Sequence, residues 1–267
     1  MQRRRTTMAW TLDQKHTAII DAPLAKSVRR ADTQIIARPG WYQVITPSAP
    51  GTYHNEVLFS QVEAADAERV ISEVIAMYAA TGHPTKWCVG PWTRPADFGD
   101  RLARRGFSSW ATRGMGCDTT LEVTGGTSPA VDEATSEDAL DVYATVALGG
   151  WGIPEKEIEV ERVAYREAFR RVPRIVRCFS AQLDGVIVGT AAIVMRERYG
   201  YLVGAQVLES VRGRGVYKAL VGARLRFLRE RGIELAVTHA REATSAPILE
   251  HLGFETLFRG RCYVLER

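Results

Sequence analysis

Two glycines and two arginines mark the stretch of this chain that is best suited to hold an anion. Arg212, Gly213, Arg214 and Gly215 follow a β-rich run and directly precede an amphipathic helical pattern. Glycine has no Cβ, so the backbone can turn successive N–H groups toward one point. The helix that begins next adds the partial positive charge of its N-terminus. These residue types in this order predict a phosphate-binding loop.

Two well-known phosphate loops fit these residues poorly. A Walker loop ends in Gly-Lys-Ser/Thr, because a lysine and a hydroxyl must reach the phosphates and a magnesium ion. Here Gly215 is followed by Val216 and Tyr217. A dinucleotide fingerprint needs a third glycine, where this chain has Lys218, and an acidic residue at the end of the next strand, whereas Glu234 stands at its start. A surface turn without a ligand is the remaining alternative.

The loop resembles the acyl-CoA signature of the GNAT superfamily of N-acetyltransferases, Gln/Arg-x-x-Gly-x-Gly/Ala. Arg212 and Gly215 match that signature, while Tyr217 stands where it has glycine or alanine. A second resemblance follows at the expected distance, because residues 245–254 resemble the short family helix that ends in Leu-Gly-Phe. The resemblance covers residues 129–267 and implies acyl transfer from acetyl-CoA to an amine.

The resemblance also implies which residues hold the cofactor. Backbone groups of Val207 and Leu208 would pair with the pantetheine arm, and N–H groups from Gly213 to Tyr217 would hold the pyrophosphate. Gly204, inside the preceding strand, predicts a bulge that opens a gap toward the next strand. The full predicted set is Val207, Leu208, Arg212, Gly213, Arg214, Gly215, Val216, Tyr217 and Ser245.

Amide formation further requires a group that accepts the amine proton. His239, which closes the strand after the cofactor helix, is the first candidate, because an ordinary imidazole titrates near neutral pH. A structural histidine is the alternative. Many family members place a tyrosine acid four residues before the glycine of Leu-Gly-Phe, where this chain has Leu249. The other catalytic candidates are Glu209 and Tyr201, and the candidates for the acid are Tyr217, Ser245 and Tyr263.

The elements that must position these residues follow from the sequence pattern. Apolar residues at helical spacing predict helices after Ser136, from Pro154 and over residues 216–232. Two β-rich runs around Asp184-Gly185 predict a hairpin. Strands are also predicted over residues 201–207 and 233–239. The second half is therefore predicted to be an α/β domain whose mixed, mostly antiparallel sheet is flanked by helices.

The first half is predicted to repeat this architecture. The spacing from Gln61 to Gly106 in the first half is close to that from Gln206 to Gly253 in the second half. In each half, a predicted strand, a helix and a second strand lie within this interval or next to it. We therefore predict two tandem GNAT-like domains of the same α/β class. An unrelated α/β module in the first half is the alternative.

The predicted first domain lacks a cofactor loop. Asp66 and Glu68 stand where the second copy has its glycines, and their carboxylates would repel a pyrophosphate. Residues 1–125 are thus predicted to be a degenerate domain, and residues 129–267 the catalytic domain that binds acetyl-CoA. The boundary is predicted at residues 125–129, which contain glycine, serine and proline but no large apolar residue.

Composition narrows the function further. The 267 residues carry a net charge of +4, and the four cysteines are scattered, so neither a metal site nor a disulfide framework is predicted. The arginines over residues 224–231 are predicted to form a solvated helix face, so no nucleic-acid partner is expected, although such binding is one alternative function. We expect no membrane partner, a cytoplasmic location, and a monomer or homodimer.

The expected reaction is transfer of an acetyl group from acetyl-CoA to a primary amine of a small molecule. Trp151, in a glycine-rich turn between two predicted helices, is interpreted either as part of a substrate lid or as a core residue. The second candidate function is a non-catalytic acyl-CoA sensor or regulatory protein, which the missing tyrosine favours.

Overall fold

The computed structural model of the protein describes residues 10–24, 27–49, 51–123 and 129–266. Residues 125–128 of the predicted boundary segment lie outside the described residues.

The described chain contains helices and strands in both halves. The helices are α1 (Leu12–Asp21), α2 (Ala67–Thr81), α3 (Phe98–Arg104), α4 (Glu137–Gly150), α5 (Glu155–Arg170), α6 (Val216–Glu230) and α7 (Ser245–Leu252). The strands are β1 (Gln34–Arg38), β2 (Trp41–Ile45), β3 (Glu56–Ser60), β4 (Thr85–Val89), β5 (Ser108–Asp118), β6 (Ala130–Glu133), β7 (Val176–Leu183), β8 (Val186–Met195), β9 (Tyr199–Val207), β10 (Leu235–Arg241) and β11 (Glu255–Leu265).

Local sequence signals account for several of these boundaries. Ser136 caps α4 by accepting a hydrogen bond from the N–H of Ala139. Asp184 and Gly185, with φ of 51° and 78°, form the turn of the β7–β8 hairpin. Gly204 has φ of 62° and lies where the pairing register of β8 and β9 shifts, so the predicted bulge is confirmed.

The eleven strands of the described residues lie in one sheet, in the order β1-β2-β3-β4-β11-β5-β10-β9-β8-β7-β6. Among these named strands, β3–β4 and β9–β10 are the parallel pairs, and the other neighbours are antiparallel. The prediction of a mixed, mostly antiparallel α/β fold is therefore confirmed.

The two halves exchange their last strands. β5, which ends the first half, pairs with β10 of the second half. β11, which ends the second half, pairs with β4 of the first. Because β5 and β11 also pair with each other, the sheet runs without a break across the middle of the molecule. The sequence pattern predicts two similar units but does not predict this exchange.

Helices cover the two faces of the sheet unequally. On one face, α2 and α3 pack with Trp87 and Tyr263, and α6 and α7 pack with Ala236 and Ala240. On the opposite face, α1 and the α4–α5 pair cover separate regions. Between these regions the sheet forms the wall of a cavity. We call this second side the cavity face.

A glycine of β5 makes room on the cavity face for the ring of Phe258 beside His239. Gly114 is paired with His239 of β10 and with Phe258 of β11. A Cβ at Gly114 would overlap the ring of Phe258, whose centroid lies 5.6 Å from that of the His239 imidazole. The missing side chain therefore leaves room for the ring of Phe258 beside His239.

Gly114→Ala should consequently destabilise the protein, because the ring of Phe258 must leave its position. Overpacking of this kind costs about 1–3 kcal/mol of unfolding free energy, which urea denaturation can measure. Gly116→Ala, two residues along β5, is the matched control, since its Cβ would lie 3.2 Å from a terminal methyl of Leu257. Equal stability of the two variants would contradict this account of Gly114.

Candidate active site

The loop before α6 has the backbone conformation of an anion site. Gly213 and Gly215 adopt left-handed φ values of 81° and 80°, and no atom lies within 4 Å of a Cβ built on either residue. Gly215 is the N-cap of α6 and offers no side chain to cap it. The first N–H groups of the helix consequently keep no intrahelical partner. Arg212 and Arg214 are exposed beside these groups.

The end of β9 is open on the side of β10. The two strands pair only over three residues that end at Tyr201, and the Thr238 hydroxyl then donates to the Leu202 carbonyl at 2.8 Å. On its other side β9 stays paired with β8 as far as Val207, and Leu208 donates its N–H to Val188. Within the described residues, Val207 and Leu208 therefore border a gap between β9 and β10.

A cavity of about 530 Å³ connects this gap to the cavity face. Side chains alternate between the two faces along a strand. The register of β4, β11, β5 and β10 therefore shows which of their residues lie on the cavity face. The lining combines first-half residues with side chains from β9, β10 and the starts of α6 and α7, among them Glu56, Lys86, Trp110, His239, Tyr217 and Ser245. A cavity of this size suits a small organic molecule.

Two predicted catalytic residues meet in this cavity. The Tyr201 hydroxyl lies 3.1 Å from Nδ1 of His239, and the two rings meet edge to face. Glu209 is elsewhere: its side chain is 87% exposed and forms an ion pair with Arg212 at 3.2 Å. The structure thus brings Tyr201 and His239 together and leaves Glu209 on the outer surface, beside the glycine loop.

The protonation of His239 differs from the sequence expectation of an ordinary imidazole. Burial lowers the pKa of His239 to about 4, and the charge of Lys86 acts in the same direction, while Glu56 opposes it. His239 is therefore neutral at neutral pH. If Nε2 is to accept a proton, Nδ1 must carry the hydrogen and donate it to the oxygen of Tyr201.

Of the three candidates for the general acid, two lie at the cavity and one does not. Tyr217 and Ser245 both border the cavity. Burial raises the pKa of Tyr217, with Arg224 and Ser245 acting in the opposite direction, so the phenol keeps its proton at neutral pH. Tyr263 packs in the core with α2 and α3, on the other face of the sheet. Leu249, at the position of the usual family tyrosine, is buried at the edge of the cavity.

An ion pair from the first half also lies at this site, and the sequence reasoning missed it. Nζ of Lys86 in β4 lies 2.7 Å from the carboxylate of Glu56 in β3, and Glu56 is only 4% exposed. Burial is the largest single effect and lowers the pKa of Lys86, but the charges of Glu56, Cys88 and Cys262 and the hydrogen bond to Glu56 together raise it. The sequence did contain a signal for this pair. A glutamate and a lysine each lie inside a predicted strand, and charged residues that are buried are almost always paired.

The loop before α2 contrasts with the loop before α6. Asp66 forms an ion pair with Arg69 at 2.9 Å. The carboxylate of Glu68 lies 3.2 Å from Arg105 and 3.7 Å from Arg101. The N-terminus of α2 is therefore surrounded by acidic groups that already have partners. That the first half holds no pyrophosphate stays a prediction.

The turn that carries Trp151 lies against the cavity. The indole is 41% exposed, packs beside Gly204, and has its ring centroid 6.1 Å from that of Tyr53. Gln206 fixes the end of α4 nearby by donating to the carbonyls of Val146 and Ala147. Trp151 is thus a half-exposed wall of the cavity and not a core residue.

Comparison with known proteins identifies a family that the second half of the chain resembles. Residues 140–254 match the family model of the Acetyltransferase (GNAT) family. This part of the second half is therefore similar to the GNAT acetyltransferases, a family that transfers acyl groups from acetyl-CoA. Among curated proteins, no sequence matches this chain.

Solved structures share the fold over most of the chain. A conserved protein of unknown function from Staphylococcus epidermidis has a TM-score of 0.69 at 12% identity, covering 88% of this chain and 95% of its own. A GCN5-related N-acetyltransferase from Kribbella flavida has a TM-score of 0.66 at 15% identity, covering 92% and 93%. A tandem GNAT protein from the clavulanic acid biosynthesis pathway has a TM-score of 0.59 at 16% identity, covering 92% and 87%. The chain therefore has a tandem GNAT fold.

In the described part of the chain, no helix is both long and apolar enough to span a membrane.

Proposed function

We propose that this protein is an N-acetyltransferase that transfers the acetyl group of acetyl-CoA to a primary amine of a small molecule. The observation that carries the proposal is the gap between β9 and β10, which leads from the start of α6, where Tyr217 borders the cavity just after the glycine loop, to His239. One opening thus connects a place for the phosphates of acetyl-CoA with a place for an amine.

Several residues of this chain suit acetyl-CoA. The N–H groups from Gly213 to Tyr217 would hold the pyrophosphate, since glycine conformation and helix N-terminus favour an anion there. Arg212 and Arg214 would add positive charge. Bound acetyl-CoA supplies a thioester carbonyl that a neutral amine can attack. Val207 and Leu208 would orient its pantetheine arm through their backbone groups, as an added strand does.

His239 and Tyr217 are proposed to handle the protons. With Nδ1–H donated to Tyr201, Nε2 of His239 accepts a proton from the amine nitrogen once the attack has made that nitrogen positively charged and acidic. A base with a low pKa suffices for that step. The phenol of Tyr217, with Ser245 beside it, donates a proton to the departing sulfur, in place of the tyrosine that is absent at Leu249.

The wall of the cavity favours a small acceptor with an apolar body. Aromatic rings border much of the cavity, and its charged pair, Glu56 with Lys86, is satisfied internally. These aromatic residues include Tyr53, Trp92, Trp110, Trp151 and Phe258. A single amine attached to an apolar or aromatic group fits this lining better than a compound with several ammonium groups. We propose a small molecule, and not a nucleic acid, as the partner of this site.

The experiment is a screen of small primary amines with acetyl-CoA, with release of free coenzyme A as the signal. We expect thiol release that depends on the amine, and mass spectrometry should find the acetylated product. Calorimetric titration with acetyl-CoA runs in parallel. Binding without release for any amine would favour the second candidate function, an acyl-CoA sensor, which the leucine at position 249 supports. No binding would contradict both functions.

A further inference from the structure

Two cysteines from opposite ends of the chain meet on the cavity face. Cys88 of β4 and Cys262 of β11 are directly opposed in an antiparallel pair of strands. Their sulfur atoms are 3.7 Å apart, and both side chains border the cavity. Neither thiol is fully buried, in contrast to Cys117 and Cys178. The fold thus brings together two cysteines that are scattered in the sequence.

The backbone places the two residues within the range that a disulfide needs. Opposed residues of antiparallel strands have Cα atoms about 4.5–5.5 Å apart, and disulfides bridge Cα separations of about 4.4–6.8 Å. Rotation of the two side chains would bring the sulfur atoms into bonding distance. No strand would have to move to another register.

The surroundings favour ionisation of one thiol of the pair. The hydrogen bond from Cys88 is the main cause that lowers the pKa of Cys262 to about 7, and the charges of Lys86 and Arg241 lower it further, against burial and Glu56. Cys88 keeps its proton, because the hydrogen bond that it donates and its burial raise its pKa. At neutral pH a large fraction of the molecules therefore has a Cys262 thiolate facing a Cys88 thiol, and the thiolate is the form that oxidants attack.

We propose that Cys88 and Cys262 form a dithiol site that a hydroperoxide converts reversibly to a disulfide. The Cys262 thiolate attacks one oxygen of hydrogen peroxide, the O–O bond breaks, and hydroxide leaves, so that Cys262 becomes a sulfenic acid. The sulfur of Cys88 then attacks the sulfur of Cys262, water leaves, and the S–S bond forms. In total, two thiols and one peroxide give one disulfide and two waters. A dithiol reductant reverses the reaction.

Oxidation would change the proposed acceptor site directly. It removes the thiolate beside Lys86 and fixes β4 to β11 across the cavity wall. This consequence rests on the proposed function, whereas formation of the disulfide does not. We expect oxidised protein to keep its acetyl-CoA affinity within about twofold and to lose amine transfer about tenfold or more, with recovery after reduction.

Peptide mapping of the full chain tests the site without any activity assay. After treatment with hydrogen peroxide and alkylation, the peptides of Cys88 and Cys262 should appear as one linked species that dithiothreitol separates. Cys88→Ser should instead leave a sulfenic acid on Cys262, which dimedone traps. Cys117→Ser is the control and should form the same linked species as the native chain.

Two results would overturn the proposal. One is full alkylation of Cys88 and Cys262 after peroxide treatment that oxidises a free thiol standard. The other is linkage to Cys117 or Cys178, or between two chains, in place of the Cys88–Cys262 link. If the link forms and no amine is acetylated even by reduced protein, the proposed function fails while the dithiol site stands.

Discussion

Gly215→Asp should abolish measurable binding of acetyl-CoA while the protein stays folded. The new carboxylate would lie at the N-cap of α6, where the N–H groups of the loop are proposed to hold the pyrophosphate. Repulsion between these anions, added to the loss of the helix-terminal site, should raise Kd roughly a hundredfold or more, equivalent to about 2.7 kcal/mol. Calorimetric titration with acetyl-CoA measures the change.

Two variants separate charge from backbone strain. Gly215→Asn has nearly the same shape without the charge, and asparagine, like aspartate, tolerates a left-handed φ. It should bind acetyl-CoA much better than Gly215→Asp. Gly232→Asp places the same residue at the far end of α6, where φ is 70° and the space for a Cβ is equally open. Native affinity for Gly215→Asp in a folded protein would refute the cofactor assignment.

His239→Ala should lower kcat/KM for the amine by roughly a hundredfold, the usual effect of losing a positioned base. Acetyl-CoA affinity should hardly change, because His239 lies on β10 and away from the glycine loop. Tyr201→Phe is the matched variant, since it removes only the oxygen that orients Nδ1. It should lower the rate by less than His239→Ala does. If both variants keep the native kcat/KM, Tyr201 and His239 have a structural role and no catalytic one.

The pH dependence provides a second test of His239. A base acts in its deprotonated form, and the pKa of His239 is lowered to about 4. The active form is therefore complete above about pH 5 and is lost only as pH falls through about 4. Any rise of kcat/KM near or above neutral pH should follow the pKa of the amine and change with the amine used. A rise near pH 6.5 that is the same for all amines would contradict this.

The second half could be predicted well because its signals are local. A cap at Ser136, a turn at Asp184-Gly185 and a bulge at Gly204 each depend on residues close together in the chain. The glycine loop before α6 is equally local, since its conformation depends on Gly213 and Gly215. Such features leave a pattern within a short window of sequence.

The composition of the site could not be predicted because it depends on contacts across the whole chain. Glu56 and Lys86 reach the cavity only because β11 and β5 join the two halves of the sheet. The neutral state of His239 has the same origin, since burial and Lys86 lower its pKa. No periodicity reveals which strands of two similar units will be neighbours. The predicted repeat therefore indicated the fold of each half but not the walls that they share.

The exchange of β5 and β11 also has a consequence for the order in which the chain folds. Cys88 and Cys262 face each other although 174 residues separate them in sequence. Contacts between such distant segments form slowly, because a long loop must close before any pairing energy is gained. The β7–β8 hairpin needs no such closure. We therefore expect the wall around His239 to be assembled in a late, slow phase of refolding, and chains that stop before it to aggregate through the bare edges of β4 and β10.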